Sequence, residues 1–152
     1  MRPHTPPDST SVRAVPDFVH ELRVRYGECD PQGIVFNANY LAYFDHTVTE
    51  LWRASEIGSW DEMVERGLDV VVGEANIRFR APARFDDVIA IHARVAKLGT
   101  TSATLELEIR RDGELLIEGW LRQVFVDAKT FKKVEIPAWV REALGVYATA
   151  AE

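Results

Sequence analysis

Apolar residues recur at three- and four-residue steps from Leu41 onward, so that Leu41, Phe44, Val48, Leu51 and Trp52 fall on one stripe of a helix. Tyr40, Tyr43 and Ala54 widen that stripe beyond the need of a surface helix, and other structure is expected to wrap it. No Pro or Gly interrupts Leu41 to Ser55. Asn37 or Asn39 is placed to cap the start and Gly58 to stop the end, giving about 20 residues and about 30 Å, enough to cross a small domain.

Elsewhere the period is two. Phe18 to Glu28 alternates loosely, with Leu22, Val24 and Tyr26 on one side, and reads as a first strand. Trp60 to Arg66 reads as one more helical turn, closed by Gly67. From Leu68 the alternation is sustained: Ala75, Ile77 and Phe79; then Ile89, Ile91, Ala93 and Val95; then Ala103, Leu105, Leu107 and Ile109 each mark a strand with one face for a core. Gly99-Thr100 and Asp112-Gly113 supply turns, the second a strong hairpin signal. Leu115 to Asp127 is a long last strand whose alternation falters at Gly119 and Trp120, where a bulge is expected. Pro137 and Gly145 bracket a short helix carrying Trp139, Val140 and Leu144.

This order of strand, long helix and four antiparallel strands predicts an α+β fold, a sheet of about five strands whose apolar face the helix fills. Residues 1–16, with Pro3, Pro6, Pro7, Ser9, Thr10 and Ser11, hold too little apolar surface to order themselves and read as a flexible tail. Residues 17–148 are expected to form one domain and 149–152 a C-terminal tail.

Composition narrows the function. The chain has 152 residues, 47% of them apolar, with a formal charge of −6 and a pI near 5.3, which argues against a nucleic-acid partner. The one cysteine, Cys29, rules out an internal disulfide and fits a reducing compartment. No apolar run approaches the ~18 residues of a membrane span, and Met1 to Ser11 lacks a secretory core, so a cytoplasmic protein without membrane insertion is expected.

The chain has no Gly-x-Ser-x-Gly elbow, phosphate-binding Gly-Lys-Ser/Thr loop, dinucleotide glycine pattern or His-Glu-x-x-His pair. His4, His20, His46 and His92 lack ligand-like spacing, and neither metal nor cofactor is expected. What remains is Asp30, in a Pro/Gly turn leading to the long helix. Thioester hydrolysis needs little more, because a thiol of reference pKa about 8.5 leaves without a strong general acid. A carboxylate activates water or attacks the carbonyl itself, and unpaired N–H groups at a helix start, aided by the dipole, stabilise the oxyanion. Asp30 and the helix entrance at Asn37 meet both needs if the turn Pro31-Gln32-Gly33 folds them toward one cavity.

Asp30-Pro31-Gln32-Gly33-Ile34-Val35-Phe36-Asn37-Ala38-Asn39-Tyr40-Leu41, followed by Tyr43-Phe44-Asp45 and Glu50, resembles the signature of the 4-hydroxybenzoyl-CoA thioesterase family, especially its Tol-Pal-associated acyl-CoA thioesterase branch. Arg80-Ala81-Pro82-Ala83-Arg84-Phe85-Asp86-Asp87 resembles its second segment. The resemblance implies a hotdog fold, with the sheet wrapped around the central helix, and hydrolysis of acyl-CoA or related thioesters. It makes Asp30 the catalytic base or nucleophile and the Asn37 N–H the oxyanion donor, with Gly33 allowing close backbone approach and Val35 and Tyr40 at the substrate. It also implies homodimers or dimers of dimers with sites at subunit interfaces. The chain departs from the pattern at three positions: Asn37 stands where many relatives carry His or Tyr, and His46 and Val48 where the nearer branch often has Arg.

More ordinary roles are expected for the remaining candidates. Cys29, lacking an adjacent base, reads as a buried inert thiol and His46 as a scaffold residue; Arg110, Arg111, Lys129, Lys132 and Lys133 read as solvated hairpin charges rather than CoA-phosphate ligands. A fold of this kind also admits a catalytically silent acyl-thioester binder as the alternative function.

Overall fold

The structure, a computed structural model, describes residues 17–149; the expected N-terminal tail, 1–16, and residues 150–152 of the C-terminal one lie outside them. The elements run β1 (Phe18–Arg23), α1 (Ala38–Ala54), α2 (Trp60–Glu65), β2 (Leu68–Phe79), β3 (Val88–Leu98), β4 (Ser102–Arg111), β5 (Glu114–Asp127) and α3 (Ala138–Gly145). The strands form one antiparallel sheet in the order β1-β3-β4-β5-β2.

Period-two patterning puts Ile89, Ile91, Ala93 and Val95 of β3, Ala103, Leu105, Leu107 and Ile109 of β4, and Ile117, Leu121 and Phe125 of β5 on one buried face. Tyr40, Phe44, Val48, Leu51 and Trp52 of α1 join the same core, with Trp52 and Phe125 edge to face at 5.9 Å. This is the hotdog arrangement, a five-stranded sheet around a 17-residue helix. The β4–β5 turn has Asp112 at φ 49° and Gly113 at φ 81°, as a two-residue hairpin turn requires.

Several boundaries depart from the sequence pattern, each for a local reason. The first strand stops at Arg23, and Tyr26 to Glu28 form a single 3₁₀ turn that leaves Tyr26 80% exposed. The Glu28 carboxylate turns the chain there by accepting from the Arg25 N–H at 2.7 Å. α1 ends at Ser55 rather than Gly58: the Ser55 Oγ donates to the Trp52 carbonyl at 2.7 Å and takes the Ile57 N–H at 3.2 Å. Gly58, at φ 82°, instead makes the turn into α2, which Ser59 and Glu62 open as a capping box.

β5 carries its irregularity earlier than expected. Gly119 pairs in regular register with Ile77 and Leu107, whereas Leu116 is the extra residue between Ile117 opposite Ile109 and Leu115 opposite Arg110. That bulge lets the consecutive Leu116 and Ile117 both be buried. The faltering at Gly119 reflects strand spacing, since a Cβ there would lie 2.0 Å from the Asn76 carbonyl oxygen. Gly119→Ala is therefore expected to push β2 from β5 and lower stability by about 1–3 kcal/mol, read from urea unfolding.

β2 is one of the two edge strands, β1 being the other, and its expected core face is largely open: Ala75 is exposed and Phe79 is 57% exposed. It is paired only with β5 along its length, and the helix α1 does not cover it. Among the described residues no helix is long and apolar enough to cross a membrane.

Candidate active site

Cys29 bridges Val35, and the three residues Pro31 to Gly33 close the loop between Asp30 and Ile34. The Asp30 N–H donates to the Ile34 carbonyl at 2.9 Å, the Gly33 N–H returns to the Asp30 carbonyl at 2.9 Å, and Gly33 takes the left-handed conformation at φ 78°. This is a type I turn closed by a left-handed residue, a conformation that Pro31 favours and that glycine adopts without strain. Gly33 has nothing within 4 Å of where a Cβ would sit and does not line the cavity described next, so its role within the chain is the turn.

The hairpin is tied to the helix entrance by one carbonyl. Glu28 O accepts the Phe36 N–H at 2.9 Å and the Asn39 side-chain amide at 2.7 Å. Asn37 occupies the cap position with helical backbone, and neither its side chain nor that of Asn39 caps the helix. The Asn39 and Tyr40 N–H groups bond back to Phe36 and Asn37, which leaves the Asn37 and Ala38 N–H groups without partners among the described residues. The absence of a side-chain cap is what keeps the helix start open.

Asp30, Val35, Asn37 and Tyr40 line one cavity of about 420 Å³, completed by Phe79, Arg80, Ala81, Pro82 and Ile117 with Gln32 and Ile34. That volume falls within the roughly 300–1,000 Å³ usual for small-molecule sites. The Asp30 carboxylate is half-buried and pairs with no cation among the described residues. One oxygen, Oδ1, accepts the Gln32 N–H at 2.8 Å and fixes the side chain, and Oδ2 is free.

Tyr40 forms a wall rather than a reactive group. Its hydroxyl oxygen accepts the Ala83 N–H at 3.0 Å, and its ring meets Phe79 at 5.8 Å and Tyr43 at 5.9 Å. Burial pushes its phenol above the ordinary value against the opposing pull of the Ala83 N–H, so the group stays neutral. Burial beside the Glu28 carboxylate raises the Tyr43 phenol as well, although its hydroxyl meets no acceptor within hydrogen-bond geometry. Tyr40→Phe is expected to cost about 1–3 kcal/mol in stability, by stranding the Ala83 N–H, while thiol release stays within a few-fold of the parent.

The cavity roof, residues 80–87, was not legible as such. Val35 N–H bonds to Ala83 O at 2.9 Å and Ile34 bridges Arg84, so the hairpin is tied to the roof. Arg111, expected to be solvated, instead bonds to Pro82 O at 3.2 Å and the Asp87 carboxylate at 2.7 Å. Burial alone would raise the Asp87 carboxyl, but the Arg111 guanidinium and the Arg84 N–H hold it below the usual range. A lowered folded-state pKa contributes stability above the unfolded value of about 3.9 and loses it as pH falls through the folded value. Arg111→Met should therefore lose about 1–3 kcal/mol at pH 7 and show a shallower further decline in acid, measured by urea unfolding across pH.

Cys29 is half-buried rather than buried, its Sγ 3.9 Å from the Arg25 carbonyl. His46 lies on the exposed side of α1, ring to ring with His20 at 4.8 Å, outside the Asp30 cavity. The contributions of Phe79 and Arg80 depend on β2 ending beside the helix start, which strand patterning does not report.

Residues 24–144 match the profile of the thioesterase-like superfamily. The chain is 29% identical over 121 residues to the acyl-CoA thioester hydrolase YbgC of Escherichia coli O6:H1, covering 79% of this chain and 90% of that one. It is 26% identical over 127 residues to the 4-hydroxybenzoyl-CoA thioesterase of Pseudomonas sp. strain CBS-3, covering 78% and 90%. Among solved structures, the gentisyl-coenzyme A thioesterase BH1999 superposes with a TM-score of 0.74 at 26% identity, covering 81% of this chain and 98% of that one.

Proposed function

The chain belongs to the thioesterase-like superfamily, and we propose that it is an acyl-CoA thioesterase, hydrolysing acyl-CoA or related acyl thioesters to free acid and thiol. One observation carries the reading: the Asp30 carboxylate and the open start of α1 line the same cavity. The thioester carbonyl points its oxygen at the Asn37 and Ala38 N–H groups, where the helix dipole favours developing negative charge. Asp30, held by Gln32 through Oδ1, presents Oδ2 to the reacting carbon, either taking a proton from an attacking water or adding to the carbonyl to form an anhydride that water then opens. Both routes expel the thiolate, and neither requires a cofactor. Val35 and Tyr40 shape the wall against which the acyl group lies. Thiol release by Asp30→Asn tests the assignment.

Residues 17–148 constitute the catalytic domain in this proposal, and the cytoplasm is its compartment, consistent with a single unpaired Cys29. The working unit is a homodimer, or a dimer of such dimers, in which the β2 edges pair. An unpaired edge with Val71, Val72 and Phe79 at 39%, 48% and 57% exposure is a template for a second copy. Val72→Lys is expected to shift the protein toward monomer in sedimentation analysis; an unchanged oligomer would place the interface elsewhere.

A further inference from the structure

Spacing along the chain gives the histidines no ligand pattern, yet folding brings two of them together. His20 lies within β1 and His46 at the middle of α1, and their rings stand edge to face with centroids 4.8 Å apart. The inward face of β1 runs Phe18, His20, Leu22; the two apolar members pack against the core, so His20 is a polar ring where alternation calls for an apolar one. Among the described residues neither ring has a hydrogen-bonding or ion-pair partner, whereas the His92 ring meets the Asp17 carboxylate at 3.5 Å.

We infer that His20 and His46 together bind one divalent d-block cation, copper(II) most tightly, and so clip β1 to α1. Distance supports the shared ion. With a metal–nitrogen bond of about 2.0–2.1 Å, each ring centroid lies ~3.2 Å from the metal, so two imidazoles on one ion stand ~4.5 Å apart at a right angle and ~5.2 Å apart at a tetrahedral one. The observed 4.8 Å falls between these limits. His46 is exposed, so its ring turns about the side-chain bonds to aim a nitrogen at the shared point. Imidazole suits copper, nickel and zinc, and the intrinsic order of affinity puts copper(II) first. No third His, Cys, Asp or Glu joins the pair among the described residues, so water completes the coordination. Half the ligand set of a structural zinc site sets a dissociation constant on the order of 10⁻⁵ M.

The surrounding charges do not oppose a cation. Arg23 and Arg25, which line one groove with His46, are paired with Asp86 and Glu28, and Arg53 is paired with Glu50. Glu50 lies one helical turn beyond His46. The Arg53 guanidinium chiefly, and the two imidazoles to a smaller degree, hold its carboxyl below the usual range, so that carboxylate is within electrostatic reach of both rings. β1 is an edge strand paired with β3 alone, and the clip gives it a second attachment, to the helix. Neither histidine lines the Asp30 cavity, so the inference does not rest on the thioesterase reading.

Calorimetric titration of the full chain, free of any affinity tag, with copper(II) chloride and with nickel(II) chloride tests the clip. His20→Asn and His46→Asn should each weaken binding about 10-fold or more, whereas His4→Gln and His92→Gln, which remove the other two histidines, should keep the parent affinity. Electron paramagnetic resonance of the parent with one equivalent of copper(II) should show two coupled imidazole nitrogens and each Asn variant one, a signature that a merely loosened fold does not produce. Nickel(II) chloride at about 100 times its dissociation constant should raise the urea midpoint of the parent and leave that of His20→Asn unmoved. Binding no tighter than millimolar, parent-like affinity in either Asn variant, loss of binding in His4→Gln or His92→Gln, or a single coupled nitrogen in the parent would overturn the inference and leave the two rings an ordinary edge-to-face contact. Thiol release by Asp30→Asn bears on the catalytic reading alone and leaves the metal result standing.

Discussion

Replacing Asp30 with Asn is expected to reduce thioester hydrolysis by roughly 10³-fold while the protein stays folded. Asparagine keeps the oxygen that accepts the Gln32 N–H at 2.8 Å, so the turn and the cavity wall persist. What disappears is the charge and basicity of Oδ2, the only free atom of the side chain that faces the reacting carbon in the proposed pose. Thiol release across a panel of acyl-CoAs, with parallel substrate-binding and circular dichroism measurements, separates the outcomes. Parent-like rates for Asp30→Asn would remove Asp30 from the mechanism. If the parent itself binds acyl-CoA yet releases no thiol, the chain is the silent acyl-thioester binder. Loss of turnover with retained binding assigns the carboxylate to the chemical step.

The second large effect concerns stability. Phe44→Ala should destabilise the protein by about 3–5 kcal/mol, a large share of the roughly 5–15 kcal/mol available to a domain. Phe44 is fully buried in the core cluster of α1 and the sheet, and truncating it opens a void under the middle of the helix. Urea unfolding measures the loss directly, and a change below about 1 kcal/mol would show that the helix repacks or does not seat as described. The same helix presents its first turn to the Asp30 cavity, so the variant should also lose activity at temperatures below its unfolding midpoint. A variant that is destabilised but kinetically normal would mean that the helix start is held by the Glu28 clamp alone.

The fold was largely legible because it depends on local periodicity. The stripe from Leu41 to Trp52 specified the helix, and strict alternation in β3 and β4 specified which side of the sheet meets it. Edges and ends were less legible. Phe79 alternates as a core residue does, yet it lies more than half exposed because β2 has β5 on one side only. Gly119 broke the pattern for a reason invisible in one strand, the close approach of Asn76 on the next. Arg111 read as a hairpin charge because its partners Pro82 and Asp87 are remote in sequence.

For the site, Asp30, Asn37, Val35 and Tyr40 stood out in the sequence as one contiguous segment, and in the structure they line a single cavity. The remainder of that cavity, Phe79 through Pro82 and Ile117, comes from β2, the roof and β5. Amino-acid order alone determined where a carboxylate, a turn and a helix entrance follow one another, since hydrogen bonds within a few residues decide that. Only tertiary structure determined that the entrance stays uncapped and that the roof closes over it. Those outcomes depend on contacts between strands and loops far apart along the chain, whose energies have no periodic signature in it.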